Sequence, residues 1–294
     1  MLDSLDRTIS LAAPAKINLA LHVTGRRSDG YHLLDSLVIF AAFGDKVNVK
    51  HAPADSFAMS GPFGSELPDD ENNLVLRARD ALRRHFPEQA TPVAIHLEKR
   101  LPVASGIGGG SSDAAATVRS LAALWGIEAE PEQLAAIGLM LGADVPMCLQ
   151  GRSLIARGIG EDIEHVAGLP HLPILLANNG LSVSTPQVFA ALEKRDNPPL
   201  PALPALATVL DVCAYLAETD NHLFAAAARL TPAICETMDE LRNTDARLVR
   251  MSGSGGTCFA IYDSDGEAET AAKNLRQRNP DWFVVATHSV KEGS

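Results

Sequence analysis

The sequence lacks the cysteine and histidine patterns of a disulfide-bonded or metal-binding protein. Its 294 residues contain four widely spaced cysteines, Cys148, Cys213, Cys235 and Cys258, with no Cys-x-x-Cys pair. The nine histidines form no His-x-x-x-His motif or other metal spacing. This usage fits buried thiols in a reducing compartment better than disulfides or zinc, so we expect no resident metal ion.

Long apolar runs and an excess of basic residues are also missing. No uninterrupted apolar stretch approaches the roughly 18 residues of a membrane span. Residues 1–16 carry acidic side chains and lack the basic-then-apolar build of a signal peptide. The net charge of −11 argues against a general nucleic-acid binder, which needs a basic face. We therefore expect a cytoplasmic protein without membrane or nucleic-acid partners, and the sequence leaves its oligomeric state open.

What the sequence does contain is typical of a folded protein of two domains. Apolar residues make up 46% and charged residues 21%, with no long polar tract and no internal repeat. We place the domains at residues 1–155 and 156–294. Residue patterns predict strands at 15–23, 33–43, 45–51, 91–102, 172–177 and 282–289. They predict helices at 73–86, from a Ser112 cap onward, within 131–149, and at 185–194, 206–217 and 221–229. Within 131–149, a break at Gly142 is predicted to precede an extended piece around Pro146. The mixture indicates the α+β class.

The most informative local motif is "GIGGGSSDAAATV", residues 106–118. It is not a P-loop, which ends in Gly-Lys-Ser/Thr, because Gly110-Ser111-Ser112 stands there instead. It is not the Rossmann pattern, because Ser111 occupies the position of the third glycine. The Asp-Phe-Gly block of protein kinases occurs nowhere in the chain.

A glycine-rich loop that opens a helix nevertheless suits an anion. Glycines let backbone N–H groups approach a phosphate closely, and the helix amino terminus adds partial positive charge. The hydroxyls of Ser111 and Ser112 would supply ligands for a phosphate oxygen or Mg²⁺. Asp113 would repel a triphosphate, so we expect its carboxylate to turn aside. An ordinary tight turn is the structural alternative.

In its wider context, the loop resembles a known superfamily. "LPVASGIGGGSSDAAA" (101–116) is similar to the loop of the GHMP kinases, named for galactose, homoserine, mevalonate and phosphomevalonate. "PAKINLALHVTGRRSDGYHLLDSL" (14–37) and "RMSGSGGTCFA" (250–260) resemble the first and third motifs of one branch, whose alcohol substrate carries a cytidyl diphosphate. Ile107 and the additional glycine depart from the usual superfamily loop but fit that branch. The resemblance implies a two-domain GHMP-kinase fold, with a ribosomal-protein-like amino-terminal half and a ferredoxin-like carboxy-terminal half.

The resemblance also implies roles for individual residues. Lys16 matches the catalytic lysine and Asp144 the general base, and an ion pair between them would keep the carboxylate ionised. An edge lysine and a turn or capping aspartate are the alternatives. ATP, bound with Mg²⁺, would be the phosphoryl donor. The predicted ATP-binding residues are Pro102, Val103, Ala104, Ser105, Gly106, Ile107, Gly108, Gly109, Gly110, Ser111 and Ser112.

Further matches concern the adenine and the acceptor substrate. Asn73, Leu74 and Lys99 match the adenine side, although a capped helix start and a surface lysine explain them equally well. Asn18, His32 and Thr185 match polar substrate contacts, and Tyr31 and Phe189 match aromatics that stack on cytosine. "MSGSGG" (251–256) is either a second anion-binding turn or a hairpin that needs glycine.

The resemblance predicts an ATP-dependent small-molecule kinase of isoprenoid precursor synthesis. One alternative is another GHMP kinase, acting on homoserine, mevalonate or a sugar. A second alternative is a non-catalytic regulator that keeps the fold and the nucleotide loop.

Overall fold

The structure is a computed structural model that describes residues 7–291. Residues 1–6, on which part of the expectation of no signal peptide rests, lie outside that range. The strands are β1 (Thr8–Arg26), β2 (His32–His51), β3 (Ser56–Ser60), β4 (Val93–Glu98), β5 (Leu154–Gly158), β6 (Asp162–His165), β7 (Pro173–Asn178), β8 (Leu248–Met251), β9 (Cys258–Ile261) and β10 (Phe283–His288). The helices are α1 (Leu74–His85), α2 (Gly109–Trp125), α3 (Pro131–Leu141), α4 (Val145–Gln150), α5 (Thr185–Ala190), α6 (Val209–Ala217), α7 (Phe224–Leu230), α8 (Ala233–Arg242) and α9 (Asp265–Arg278). The mixed content confirms the α+β class.

The chain forms two compact units, and both are discontinuous in sequence. Within the described range, the first unit contains residues 7–15, Gly44–Val103 and Gly108–Gly151. The second contains Lys16–Phe43, Ala104–Ile107 and the residues from Arg152 onward. The predicted boundary after residue 155 therefore differs from the observed division, because two amino-terminal segments pack with the carboxy-terminal part of the chain.

The first unit contains two strand pairings and a group of mutually packed helices. The second half of β2 pairs antiparallel with β4, from Lys46 opposite Glu98 to His51 opposite Val93. β3 lies parallel to β4. Along β4, alternate side chains are buried, which is the pattern of a strand with one face in a core. Helix α2 packs against α1, α3 and α4.

In the second unit, the first half of β2 pairs with β5, and β5 pairs with β6, both antiparallel. A separate antiparallel sheet has the strand order β10-β7-β9-β8. All six residues of β7 are buried, as expected for a strand covered on both faces. Helices α8 and α9 pack against this sheet.

Two expectations about local structure are wrong. Ser112 does not cap α2; Gly108 occupies the N-cap position, in a left-handed conformation, and Ser112 lies inside the first turn. The segment around Pro146 is not extended but forms α4. Proline is tolerated there because it lies in the first helical turn, where no intrahelical N–H is needed.

The helices were compared with the length and apolar character that a membrane span requires. No helix between residues 7 and 291 is long and apolar enough to cross a bilayer.

Candidate active site

The glycine loop adopts backbone angles that explain its composition. Gly106 has φ +76° and Gly108 has φ +65°, both in the left-handed region that favours glycine. Ala104, with φ +50°, is the one non-glycine residue with positive φ among residues 7–291. The side chains of Pro102, Ser105 and Ile107 are buried, so any contact of these residues with a nucleotide would be made by their backbone.

Within the second unit, residues 104–107 lie against the 252–256 turn. Thr257 donates its backbone N–H to the Ser105 carbonyl at 2.9 Å. A Cβ at Gly106 would lie 2.5 Å from the carbonyl oxygens of both Ser252 and Gly255. The "MSGSGG" segment is thus the loop between β8 and β9, and its glycines permit this close backbone approach.

The amino terminus of α2 presents the groups expected of a phosphate site. The first intrahelical bond runs from the Ser112 N–H to the Gly108 carbonyl, at 2.9 Å. The N–H groups of Gly109, Gly110 and Ser111 therefore have no acceptor within the helix. Ser112 is 1% exposed, and its hydroxyl donates to the Pro14 carbonyl at 2.7 Å. Of the two serines, Ser111 is the more accessible.

Beneath this helical turn lies a buried charge cluster that the sequence did not reveal. The Lys99 ammonium lies 2.5 Å from a carboxylate oxygen of Asp45 and 2.8 Å from one of Asp113. Asp45 also accepts backbone N–H bonds from Arg100 and Leu101. The cluster therefore connects the chain that enters the loop with the helix that leaves it. As expected, the Asp113 carboxylate is turned aside, here toward Lys99.

The cluster holds one cation and two carboxyl groups away from water. Burial raises the pKa of Asp113 to about 8, the Asp45 charge adds to this, and the Lys99 charge opposes it. The Oδ1 atom of Asp113 is buried and has no hydrogen-bond partner among the described residues. At neutral pH the protonated form of Asp113 predominates, so the cluster has little net charge.

This raised pKa predicts that stability falls as pH rises. Between the unfolded pKa of 3.8 and the folded pKa of about 8, the folded chain binds the extra proton. The contribution to the unfolding free energy is complete below pH 3.8 and is lost as pH rises through the folded pKa of about 8. Asp113→Asn should remove this slope, as measured by urea unfolding at several pH values.

Asp55→Asn is a suitable control for that experiment. In the native chain, the hydrogen bonds that Arg83 donates lower the pKa of Asp55 to about 2. The stability that the Asp55 carboxylate contributes is therefore lost only in acid. The variant should leave the slope between about pH 6 and pH 8 unchanged. An unchanged slope in Asp113→Asn would contradict the assignment.

The second unit holds Lys16 and Asn18 in β1. Lys16 is 6% exposed, which excludes the alternative of an exposed edge lysine. Its N–H donates to the Ile107 carbonyl at 2.8 Å. The Asn18 N–H donates to the Ser252 hydroxyl at 3.1 Å, and its amide nitrogen donates to Ser36 at 2.7 Å. The Asn18 Oδ1 atom is buried and has no hydrogen-bond partner among the described residues.

The same unit brings together His32 and Phe189, two of the predicted substrate contacts. Their rings stack, with centroids 4.9 Å apart and planes inclined by 26°. Burial lowers the pKa of His32, and Arg195 and Arg26 reinforce the shift, so the imidazole is neutral at neutral pH. Its Nε2 atom is buried and has no partner within residues 7–291.

Tyr31 and Thr185 are more accessible. Tyr31 is 59% exposed, the largest exposed fraction among the big apolar side chains of the described residues. Thr185 is the first residue of α5, and its hydroxyl lies 2.7 Å from that of Ser254.

Asp144, in the first unit, occupies the N-cap position of α4. Its side chain makes no capping hydrogen bond. The alternative of a helix-capping aspartate is therefore wrong. The carboxylate is half-buried.

Two of the three adenine-side candidates have structural roles. Asn73 caps α1, with its Oδ1 atom accepting from the Val75 N–H at 3.0 Å, and its amide nitrogen donates to the Pro68 carbonyl. Lys99 is 2% exposed, so the surface-lysine alternative is wrong. Because the carboxyl groups of Asp45 and Asp113 engage its ammonium, Lys99 is not available to an adenine ring. Leu74 begins α1 and is half-buried.

Sequence reasoning did not find two residues that hold site residues in place: Asp45, which binds Lys99, and Ser252, which binds the Asn18 backbone. No local pattern identifies Asp45, because its partners lie 54 to 56 residues away. Ser252 lies within a quoted motif, yet its contact with Asn18 spans 234 residues.

Comparisons with known proteins decide the family. A model of the GHMP kinases N terminal domain matches residues 73–152, and a model of the GHMP kinases C terminal domain matches residues 201–281. The 4-diphosphocytidyl-2-C-methyl-D-erythritol kinase of Brucella abortus biovar 1 is 55% identical over 96% of this chain and 95% of its own length. The chain belongs to the GHMP kinase family. It is a small-molecule kinase, and the family implies ATP as the phosphoryl donor.

Other GHMP kinases agree with this assignment. The 4-diphosphocytidyl-2-C-methyl-D-erythritol kinase of Chelativorans sp. is 54% identical, over 94% of both chains. A crystal structure of 4-(cytidine 5'-diphospho)-2C-methyl-D-erythritol kinase has a TM-score of 0.78 at 35% identity, covering 96% of this chain and all of that one. Homoserine kinase from Cytophaga hutchinsonii, at 17% identity and a TM-score of 0.69 over 97% of this chain and 95% of its own, shares the fold alone. These matches confirm the two-domain GHMP-kinase fold.

Proposed function

We propose that this GHMP kinase transfers the γ-phosphoryl group of ATP to the 2-hydroxyl of 4-diphosphocytidyl-2-C-methyl-D-erythritol. The observation that carries the proposal is the pair of buried polar atoms without partners among the described residues, Asn18 Oδ1 and His32 Nε2, the second of them in a ring stacked on Phe189. Burying such atoms is costly unless a ligand pairs with them. A substrate with a nucleobase offers both the hydrogen bonds and the flat ring.

The phosphates of ATP would bind at the amino terminus of α2. The three N–H groups of Gly109, Gly110 and Ser111 and the helix dipole favour an anion there. A Cβ at Gly109 would lie 2.9 Å from the Lys99 ammonium, so this turn accepts no side chain without disturbing the charge cluster. The donor set fits Mg²⁺ bound with ATP: the Ser111 hydroxyl would be its protein ligand, whereas the Ser112 hydroxyl already bonds Pro14. When bound, Mg²⁺ neutralises phosphate charge.

Two side chains are assigned to the transfer itself. The substrate hydroxyl oxygen forms a bond to the γ-phosphorus, the bond from that phosphorus to the β–γ bridging oxygen breaks, and ADP leaves. Asp144 accepts or orients the hydroxyl proton. Lys16 offsets the negative charge that develops on the transferred group.

The cytosine ring is assigned to Tyr31, His32 and Phe189. Because His32 covers one face of Phe189, a base stacked on Phe189 would use the opposite face. The neutral His32 ring offers Nε2 for a hydrogen bond to the base. Asn18 and Thr185 are assigned to polar contacts with the remainder of the substrate.

Two arginines next to these aromatics supply positive charge for a diphosphate. Arg26 donates to the Gly30 carbonyl, one residue before Tyr31, and Arg195 donates to the Ala190 carbonyl, one residue after Phe189. Neither guanidinium forms an ion pair with another residue in the described part of the chain. In a protein with a net charge of −11, unpaired arginines at this position favour an anionic substrate.

Removal of the exposed tyrosine ring tests the cytosine assignment. Tyr31→Ala should weaken binding of the cytidyl substrate by roughly 5- to 150-fold, because one stacked face is worth about 1–3 kcal/mol. ATP affinity should hardly change. Calorimetric titration of each ligand measures both constants, and Tyr31→Phe, which keeps the ring, should bind normally. Phe189→Ala should behave like Tyr31→Ala, although its packing against the core adds a loss of stability.

Equal weakening of both ligands in Tyr31→Ala would indicate misfolding. Unchanged cytidyl binding would place the base elsewhere. The function itself is tested by ADP release with the cytidyl substrate, homoserine and mevalonate offered in parallel. Turnover of homoserine or mevalonate instead of the cytidyl substrate would favour another GHMP kinase activity, and no turnover of any would favour a regulator.

A further inference from the structure

Three side chains that are distant in sequence lie close together at one end of the paired strands β7 and β10 in the second unit. His171 precedes β7, His288 ends β10, and Asp265 is the first residue of α9. Each offers one ligand atom, and these atoms all lie within 4.8 Å of one another. The His171 Nε2 atom lies 2.9 Å from one Asp265 carboxylate oxygen and 3.0 Å from the other.

The backbone fixes the positions of these side chains. The residues next to the two histidines exchange two hydrogen bonds: Leu172 N–H donates to the Ser289 hydroxyl, and Ser289 N–H donates to the Leu172 carbonyl, both at 3.0 Å. Asp265 is held by the first turn of α9, which Ser264 caps through the Glu267 N–H. The three donors therefore meet on a rigid frame.

We propose that His171, Asp265 and His288 bind a divalent transition metal ion of the zinc type. Two imidazole nitrogens and one carboxylate oxygen form a donor set that Zn²⁺ prefers, with a fourth position left for water. Tetrahedral Zn²⁺ with bonds of about 2.0–2.2 Å requires ligand atoms roughly 3.3 Å apart. The His171–Asp265 pair, at 2.9 Å, is already near that separation, and all three ligand atoms lie within 4.8 Å of one another.

An ion pair of protonated His171 with Asp265 is the competing explanation. This ion pair does not account for His288. The His288 ring lies close to the pair, with its centroid 4.7 Å from that of His171. A metal ion accounts for all three residues, because His171, Asp265 and His288 would bind it together.

The experiment is a calorimetric titration of Zn²⁺ into the untagged full-length chain after treatment with a chelator. We expect one ion per chain, with affinity reduced at least about tenfold in both Asp265→Asn and His288→Gln. His165→Gln replaces an exposed histidine of β6 in the same unit and should bind Zn²⁺ normally. Unfolding curves without metal establish that each variant is folded.

A second measurement identifies the ligands. Co²⁺ bound by nitrogen and oxygen gives visible absorption without the intense thiolate band that the four cysteines would produce. The proposal predicts the former spectrum in the native chain and its loss in the two ligand variants. A thiolate band, equal Zn²⁺ affinity in all variants, or no stoichiometric binding would each overturn it.

Discussion

Asp144→Asn should lower kcat by about 10²-fold or more, because the amide cannot accept the proton of the substrate hydroxyl. The change is nearly isosteric, and the Asp144 side chain makes no cap bond that the substitution would break. The fold and the ATP affinity should therefore remain. Steady-state kinetics with the cytidyl substrate, together with calorimetric titration of ATP, measure the two quantities.

Asp69→Asn is a matched control for this variant. Asp69 is an exposed carboxylate in the same unit, so its replacement should leave kcat unchanged. Activity of Asp144→Asn near that of the native chain would remove Asp144 from the mechanism. A loss accompanied by weakened ATP binding would instead indicate a disturbed nucleotide site.

Lys16→Met tests the same phosphoryl-transfer step at a second residue. It should also lower kcat by about 10²-fold or more, because charge on the transferred phosphoryl group is no longer offset. If Asp144 and Lys16 act on one step, the double variant should lose much less than the product of the two single losses. Multiplicative losses would indicate that the two residues act independently.

The sequence predicted best the elements whose determinants are local. The buried face of α1 recurs at helical spacing, and Asn73 caps its start, so a helix over 73–86 differs by one residue at each end from the observed one. β4 alternates in burial and lies within the predicted strand 91–102, which extends beyond it by two residues at the start and four at the end. The short strands β5 and β6, of five and four residues, were missed, because glycine and charged residues interrupt them.

The sequence predicted those site residues that belong to a short continuous motif. It did not predict contacts between residues that are far apart in sequence. The glycine loop, Lys16 and Asp144 follow from motifs of the GHMP kinases. The burial of Lys99 depends on Asp45, which is 54 residues away in sequence. Likewise, the spacing of the histidines gave no metal signal, because His171 and His288 become neighbours only when β10 pairs with β7.

The largest effect on stability should come from Lys99→Met. The Lys99 side chain is 2% exposed, and those of Asp45 and Asp113 are 0% and 2% exposed. Burial disfavours the ammonium, but the Asp113 and Asp45 charges outweigh it and raise the pKa of Lys99, so the group is charged. Without that ammonium, the buried Asp45 carboxylate loses its cationic partner, and the free energy of unfolding should fall by about 3–5 kcal/mol.

Urea unfolding at neutral pH measures this loss, and Lys46→Met is its control. Lys46 is exposed on β2 beside Asp45, so its replacement should change stability by no more than about 0.5 kcal/mol. If Lys99 bound adenine instead, Lys99→Met would weaken ATP binding with little loss of stability. That result would contradict the stabilising role of Lys99 in the charge cluster.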